Sequence, residues 1–164
     1  MVFCSGFLHD LSHQPEKRIS EVSEDYLSKS FQINAAGPLL FFSKISEMIK
    51  KVDSAKVIFL SAQVGSIEDN RSGGWYAYRM AKAALNMAIK SISIEAARWV
   101  KPPTVVAIHP GTTISNLSKR FLGQRTSKVQ TPAECASKLR TLISSLDFGD
   151  NGKFLTLSHA ELPW

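Results

Sequence analysis

The chain has 164 residues, of which 44% are hydrophobic and 21% are charged, and its formal net charge at pH 7 is +6. These values are ordinary for one globular domain and exclude an intrinsically disordered chain. Apolar runs such as residues 37–42 are too short to span a bilayer, and polar residues interrupt the N-terminal segment before a signal peptide could form. We therefore predict a single domain over residues 1–164, no membrane partner and a cytoplasmic location.

The cysteines, histidines and basic residues indicate neither a metal site nor a nucleic-acid site. The two cysteines form no C-x-x-C pair, and His9 and His13 lie in a polar segment near Pro15 that is typical of a loop. The basic residues are spread along the chain, and no interleaved aromatic platform accompanies their densest group, which is Lys119, Arg120, Arg125 and Lys128. A phosphate-bearing cofactor or a solvated surface would account for the charge, so we expect no nucleic-acid partner.

The first half of the chain alternates between strand-like and helix-like patterns. Residues 1–5 form a short apolar run that predicts a buried strand, and a polar stretch follows. Residues 25–51 repeat apolar side chains at helical spacing, with a kink expected at Pro38 because proline lacks an N–H. The run 57–60 predicts the next strand, and a polar, Gly-rich loop over residues 61–74 precedes a helix predicted for residues 78–99.

The second half of the chain continues the same alternation. Residues 104–108 predict a strand that ends at His-Pro-Gly, and residues 152–157 predict a last short strand. Between them, Thr131, Pro132 and Glu134 have the order of a helix cap, a first-turn proline and a first-turn acid, and this helix should run to about Leu146. The order is that of right-handed βαβ units on a parallel sheet, so we predict an α/β fold of about four strands with helices on both faces, half of a doubly wound sheet.

A tyrosine and a lysine four residues apart open the helix predicted for residues 78–99. The spacing places Tyr78 and Lys82 on one helical face. An ammonium beside a phenol favours the phenolate, so we expect Lys82 to lower the pKa of Tyr78 from its usual value near ~10. A tyrosine tuned in this way can exchange a proton with an alcohol near neutral pH. A surface tyrosine followed by a solvated lysine would show the same spacing, and the pattern alone leaves both interpretations open.

The surrounding sequence carries a family resemblance. Gly-Gly-Trp-Tyr-Ala-Tyr-Arg-Met-Ala-Lys-Ala-Ala-Leu-Asn at residues 73–86 resembles the active-site helix of the short-chain dehydrogenase/reductase superfamily. Leu-Ser-Ala-x-Val-Gly-Ser-Ile at residues 60–67 is similar to the carbonyl-reductase branch that includes the sniffer and C-factor proteins. The resemblance covers nearly the whole chain. It implies an NAD(P)(H)-dependent oxidoreductase of the carbonyl reductase type, with NADP or NAD as cofactor and a small carbonyl or alcohol as substrate.

The resemblance also assigns roles to individual residues. It implies that Tyr78 is the proton donor in carbonyl reduction and that Lys82 tunes its pKa and binds the nicotinamide ribose. Asn34, in the helix predicted for residues 25–51, matches the family asparagine that holds a proton-relay water. A helix asparagine that faces solvent is the alternative interpretation of Asn34.

The family's catalytic serine has no direct counterpart. Counting back from Gly65, the expected position holds Ala62, with Ser61 and Ser66 on either side. We predict that Ser61 or Ser66 substitutes for it and orients the substrate carbonyl, because loss of one such donor can cost on the order of 10²-fold in rate. A serine that only forms the turn after the strand is the other interpretation.

The resemblance implies cofactor contacts in two loops and at Lys82. His-Pro-Gly-Thr-Thr at residues 109–113 resembles the family's Pro-Gly segment, which contacts the nicotinamide carboxamide, and a serine stands where the family often has a threonine. A loop that only ends a strand is the alternative for this segment. Gly6 matches the glycine of the family's turn beside the adenosine. Residues 115–130 would be the substrate lid. The predicted cofactor contacts are Gly6, Lys82, Pro110, Gly111, Thr112, Thr113 and Ser115.

One expected motif does not occur in this sequence. The Gly-x-x-x-Gly-x-Gly turn that holds cofactor phosphates is absent, and the resemblance implies that the chain is an N-terminally truncated domain whose first strand becomes an uncovered edge. One hypothesis is an oxidoreductase whose N-terminal half has been lost from the sequence. The alternative is a non-catalytic fragment that associates with full-length relatives through helices 25–51 and 78–99, which would also allow a homo-oligomer. A small nucleic-acid binder is supported by charge alone.

Overall fold

A four-stranded parallel sheet forms the centre of the computed structural model, which describes residues 1–123 and 129–164. The strands lie in chain order: β1 (Val2–Phe3), β2 (Lys56–Leu60), β3 (Thr104–His109) and β4 (Phe154–Thr156). All three pairs are parallel, and Ile58 of β2 lies opposite Val2 and Val106. The predicted parallel α/β sheet is confirmed, with both edge strands shorter than residues 1–5 and 152–157.

The described residues form four α-helices: α1 (Glu24–Phe31), α2 (Gly37–Ile49), α3 (Tyr76–Ala96) and α4 (Pro132–Ser145). Short 3₁₀ turns lie at Ile19–Glu21, Gln63–Gly65, Lys119–Phe121 and Phe148–Asp150. The helix predicted for residues 78–99 begins two residues earlier and ends at Ala96. None of these helices is long and apolar enough to cross a membrane.

The helix predicted for residues 25–51 is one helical run with a change of geometry in its middle. Gln32–Ala36, between α1 and α2, is π-helical, and the N–H of Gly37 donates to the Gln32 carbonyl five residues back. Pro38 lies in the first turn of α2, where its missing N–H is tolerated. In place of a kink at Pro38 itself, the helix therefore has a π-helical stretch just before this residue.

Two apolar cores lie on opposite faces of the sheet. α2 and α3 pack on one face against Val57, Phe59, Val105 and Ala107. α4 packs on the other face, where Ile58, Val106 and Ile108 meet Leu142 and Leu146. Alternate residues of β2 and β3 thus serve different layers, as the two-residue period of a strand requires.

The connections between the strands do not all share one hand. Each step from β1 to β4 moves in the same direction across the sheet, but α4 lies on the opposite face from α2 and α3. The connection from β3 to β4 therefore has the opposite hand from the two before it. The expectation of uniformly right-handed units, which general statistics favour, is wrong for this domain.

Candidate active site

Tyr78 and Lys82 are buried where α3 meets the carboxyl end of β2. Tyr78 is 7% exposed and Lys82 is 2% exposed. The Lys82 Nζ donates to the Leu60 carbonyl at 3.0 Å and lies 5.9 Å from the centre of the Tyr78 ring. Burial excludes the interpretation of this pair as a solvated tyrosine and lysine. The pair instead lies at the carboxyl ends of the parallel strands, where open α/β folds bind ligands.

Burial changes the proton affinity of both side chains. It raises the pKa of Tyr78 to about 12 and lowers the pKa of Lys82 to about 8. The predicted net result, a Tyr78 pKa below its usual value, is therefore wrong for this arrangement, because burial dominates the shift of the phenol. Loss of water disfavours the charged form of each group, and the Lys82 ammonium lies over the ring with its hydrogen bond to a carbonyl. Tyr78 is accordingly a protonated phenol at neutral pH.

Asn34 is fully buried and connects three segments of the chain. Its Oδ1 accepts from the Phe7 N–H at 2.9 Å, and its Nδ2 donates to the Phe7 carbonyl at 2.8 Å and to the Ser30 Oγ at 3.1 Å. The solvent-facing interpretation of Asn34 is excluded. Pro38 stands four residues later, so the Asn34 carbonyl lacks its ordinary α-helical donor. The relay role itself stays a prediction.

The two candidate serines are hydrogen-bonded away from Tyr78. The Ser61 Oγ donates to the Asn86 Oδ1 at 2.5 Å. The Ser66 Oγ donates to the Trp164 carbonyl and accepts from the Asp69 N–H, each at 3.1 Å. In the described part of the chain, neither hydroxyl is bonded to Tyr78. Their substitution for the family serine stays a prediction, and Ser61, the neighbour of Leu60, is the better placed of the two.

Asn86 extends the polar stripe of α3 by one turn beyond Lys82. The Asn86 Nδ2 and the His109 Nδ1 are both buried and have no hydrogen-bond partner among residues 1–123 and 129–164. The Ser61 N–H donates to the Ile108 carbonyl at 2.8 Å, which places His109 beside Ser61 on the sheet face that packs against α3. Burial lowers the pKa of His109, so its ring is neutral at pH 7. Sequence reasoning missed Asn86, although its spacing from Lys82 repeats that of Tyr78.

Gln130 holds the predicted nicotinamide loop in place. Its side-chain amide donates to the Pro110 carbonyl and, at 3.1 Å, to the Thr113 Oγ1. Its backbone carbonyl accepts from the Ile114 N–H at 3.0 Å. Gly111 has a φ of +73°, which only glycine adopts readily, so its backbone can approach a ligand closely. Gln130 was missed because its partners lie as many as 20 positions earlier in the sequence.

The other predicted cofactor contacts lie near this loop or at the end of β1. Thr112 and Ser115 are exposed, and the Ser115 N–H donates to the Ser118 Oγ at 3.1 Å. A Cβ placed on Gly6 would lie 3.5 Å from the Leu117 Cδ1. The predicted lid over residues 115–130 includes residues 124–128, among them the basic Arg125 and Lys128, which lie outside the described residues. Lys119 and Arg120 are exposed.

Aromatic rings line the approach to Tyr78. The Trp75 ring centre lies 6.4 Å from that of Tyr78 and 5.1 Å from that of Phe121. The His9 ring lies 5.5 Å from Phe121, and its Nε2 is 3.2 Å from the Leu117 carbonyl. Together, His9, Trp75 and Phe121 form an aromatic wall beside Tyr78. Sequence reasoning did not assign His9 and Trp75 to the site.

The residues present fit the nicotinamide end of a dinucleotide. The Lys82 ammonium has donors beyond its bond to Leu60, and the unpartnered polar atoms of Asn86 and His109 lie next to the loop that contains Gly111. The sequence has no Gly-rich turn for the phosphates, so the fit covers one end of such a cofactor. In the described ranges, no group of three or more His, Cys, Asp or Glu residues could hold a metal ion.

Solved structures of related fold match nearly the whole chain. The carbonyl reductase Sniffer of D. melanogaster superposes with a TM-score of 0.84 at 24% identity, over 99% of this chain and 65% of that one. The NADPH-bound carbonyl reductase from chicken fatty liver gives a TM-score of 0.85 at 24% identity, over 99% of this chain and 64% of that one. These likenesses show the Rossmann-like fold of the sheet and its helices.

Sequence relatives and a family model give the family. The chain is 30% identical to the C-signal of Myxococcus xanthus over 148 residues, which are 89% of this chain and 83% of that protein. It is 30% identical to the 1-hydroxy-2-glutathionyl-2-methyl-3-butene dehydrogenase of Rhodococcus sp. (strain AD45) over 146 residues, but covers only 62% of that protein. Residues 2–125 match the family model described as short chain dehydrogenase. The chain therefore belongs to the short-chain dehydrogenase family.

Proposed function

We propose that this chain carries the proton-transfer machinery of an NAD(P)(H)-dependent oxidoreductase that reduces a small carbonyl compound. The observation that carries the proposal is the buried Tyr78–Lys82 pair at the carboxyl end of β2. With its pKa raised to about 12, Tyr78 holds its proton at neutral pH and can donate it to a carbonyl oxygen as negative charge develops there. Lys82 would stabilise the phenolate that remains, because burial strengthens the attraction between the two charges.

The remaining roles concern the cofactor and the shape of the site. When bound, the nicotinamide supplies or accepts a hydride. Lys82 would bind the ribose. The carboxamide would be contacted by the loop that Gln130 fixes, through Pro110, Gly111 and Thr113. The NADPH named for the chicken carbonyl reductase favours NADPH over NADH. In this proposal residues 1–164 are one partial Rossmann-like domain. The two cysteines, Cys4 and Cys135, form no disulfide in the described residues, which suits a reducing compartment such as the cytoplasm.

The first test is a fluorescence titration of the purified chain with NADPH and with NADH. We expect saturable binding that is weakened by Lys82→Met, since that variant removes the ribose ligand. Lys44→Met is the matched control, because Lys44 is an exposed residue of α2 that has no role in the proposed site. An absence of binding, or equal binding by the chain and Lys82→Met, would count against the proposal.

A second candidate is a non-catalytic protein that associates with relatives or with itself through α2 and α3. The observation in its favour is a set of large apolar side chains exposed on both helices. On α3, Met80, Met87 and Ile94 are exposed and seven residues apart, so they share one face. An open apolar depression of about 280 Å³ lies beside them, lined by Leu27, Ser28, Phe31, Ala77, Met80 and Ala81. Exposed apolar surface of this kind often marks an interaction site.

Sedimentation velocity separates the two candidates. If association is the function, the chain should form a dimer or bind a full-length relative, and Met87→Glu should abolish that complex. Tyr78→Phe should leave the complex intact, because the Tyr78 side chain is buried. A chain that stays monomeric alone and in the presence of the relative, at concentrations where it binds NADPH, would exclude this second candidate.

A further inference from the structure

Glu16 is a buried carboxylate with no assigned role in the proposed chemistry. It lies in the loop between β1 and α1 and is 2% exposed. Both of its carboxylate oxygens approach the Ala77 N–H, at 3.2 and 3.3 Å, and its backbone carbonyl accepts from the Trp75 N–H at 2.5 Å. Among the described residues, Glu16 forms no ion pair. Because an unpaired buried charge is costly, its contact with the first turn of α3 requires an explanation.

The start of α3 lacks a cap of its own. The residue before the helix, Trp75, has a φ of +53°, its side chain makes no capping bond, and the first turn contains no acidic residue. The left-handed conformation is unfavourable for a non-glycine residue, so tertiary contacts must hold Trp75 in it. A Cβ on Gly74 would lie 3.2 Å from the Glu16 carbonyl, which shows how closely the turn packs on residue 16. Glu16 supplies from a distant segment the acceptor that the start of α3 lacks.

The residue that precedes Tyr78 is held at both of its backbone groups. Glu16 accepts from the Ala77 N–H, and the Ser30 Oγ donates to the Ala77 carbonyl at 3.1 Å. Ser30 is itself fixed by the Asn34 Nδ2 at 3.1 Å. Two buried side chains from outside α3 therefore fix the backbone immediately before the tyrosine.

We infer that Glu16 is a positioning residue for Tyr78, its side chain acting through the Ala77 N–H. The inference rests on the proposed function for its catalytic consequence. Proton transfer depends on the direction of the phenol, and the Trp75 ring that flanks it belongs to the same turn. Glu16 acts by the position of its acceptor oxygens, so the length of its side chain matters more than its charge.

The test compares Glu16→Ala, Glu16→Asp and Glu16→Gln with Glu134→Ala. Glu134 is the matched control because its carboxylate caps α4, accepting from the Thr131 N–H at 2.7 Å, and α4 carries no residue of the proposed site. The readouts are kcat and KM with NADPH and a carbonyl substrate, and hydrogen exchange of the amides of residues 75–78. The exchange measurement needs no turnover.

We expect Glu16→Ala and Glu16→Asp to lower kcat by about tenfold or more with little change in KM for NADPH, because small displacements of a reacting group are costly. Amides 75–78 should exchange at least about tenfold faster in both variants, as expected when a capping acceptor is lost. Glu16→Gln keeps an acceptor at the same length and should stay near the unsubstituted chain in both readouts. Glu134→Ala should leave both unchanged.

The outcomes separate a failure of the inference from a failure of the proposed function. Turnover that is absent from the unsubstituted chain counts against the proposed function, and the exchange rates still decide the role of Glu16. Unchanged amide exchange and kcat in Glu16→Asp would overturn the inference. A lower kcat and faster exchange in Glu16→Gln, with normal values in Glu16→Asp, would also overturn it, since that pattern indicates a role for charge. If Glu16→Ala does not fold, the Asp and Gln variants decide the question alone.

Discussion

The helices α3 and α4 lie on opposite faces of one sheet and begin in different ways. α4 starts with a local capping box, in which the Thr131 Oγ1 accepts from the Glu134 N–H and the Glu134 carboxylate accepts from the Thr131 N–H. α3 starts at a left-handed Trp75 and takes its acceptor from Glu16, which lies 61 positions before Ala77. One helix is specified by neighbours in sequence and the other by the folded structure around it.

The same difference extends to the cores of the two faces. The α4 face is built from aliphatic side chains such as Val106 and Leu142. The α3 face contains an apolar core as well, but at the end of the sheet it buries Asn34, Lys82 and Asn86. Buried polar groups cost stability unless they are hydrogen-bonded. Their concentration on one face therefore indicates a functional site rather than a need of packing.

The largest effect should come from Asn34→Leu. This substitution leaves the Phe7 N–H, the Phe7 carbonyl and the Ser30 hydroxyl without their buried partner, and we expect it to lower the free energy of unfolding by about 3 kcal/mol. Urea denaturation provides the measurement. Asn116→Leu, at an exposed position, should change stability by less than about 0.5 kcal/mol. Equal effects of the two substitutions would remove the contrast between the faces.

Lys82→Met should reveal the burial of the ammonium through pH. The folded pKa of about 8 lies below the ordinary 10.5, so between these values the unfolded chain binds more protons and stability rises with pH. We expect the chain to gain about 2 kcal/mol relative to Lys82→Met between pH ~7.5 and ~9.5. Parallel urea titrations at the two pH values measure the difference. Lys44→Met, at an exposed position of α2, should show no such divergence, and a flat difference for Lys82→Met would show that the ammonium is hydrated.

Thr131→Ala should have a smaller effect that is confined to stability. Loss of the Thr131 side chain from the capping box should cost about 1 kcal/mol, observed as a lower Tm in calorimetry. Exchange of amides 75–78 should not change, because α3 is capped independently by Glu16. Faster exchange at the start of α3 in this variant would mean that the two helix starts are coupled.

The smallest effects concern two histidines with opposite environments. Burial lowers the pKa of His109, so its contribution is present above pH 6.5 and is lost as the pH falls through the lowered value. The Asp25 and Asp10 carboxylates raise the pKa of His13, so its contribution is present below pH 6.5 and is lost as the pH rises through the raised value. On acidification from pH ~7.5 to ~5.5, His109→Gln should lose less stability than the unsubstituted chain and His13→Gln should lose more. The same direction of change in both variants would contradict the two assignments.

Local features of the sequence predicted the parts of the fold that depend on local chemistry. The order Thr-Pro-Ala-Glu at residues 131–134 predicted the start of α4, and the apolar runs predicted the four strands. The four-residue spacing of Tyr78 and Lys82 placed both on one face of α3. Each of these inferences needs only the periods of helix and strand or the requirements of a cap.

The remainder depends on contacts between distant segments. The bonds of Glu16 and Gln130 join positions 61 and 20 residues apart, and no local pattern indicates them. The pKa of Tyr78 was predicted in the wrong direction because spacing gives the neighbours of a group and not its depth from water. The left-handed Trp75 also had no signal, since non-glycine residues rarely adopt that conformation.

Turnover by the unsubstituted chain and by Tyr78→Phe tests the central claim most directly. The measurement is the carbonyl-dependent oxidation of NADPH, with NADPH affinity determined in parallel by fluorescence. The account predicts that Tyr78→Phe lowers kcat by about 10²–10⁴-fold with NADPH affinity nearly unchanged, because only the acidic proton is removed. Turnover retained by Tyr78→Phe would contradict the assignment of Tyr78 as the proton donor.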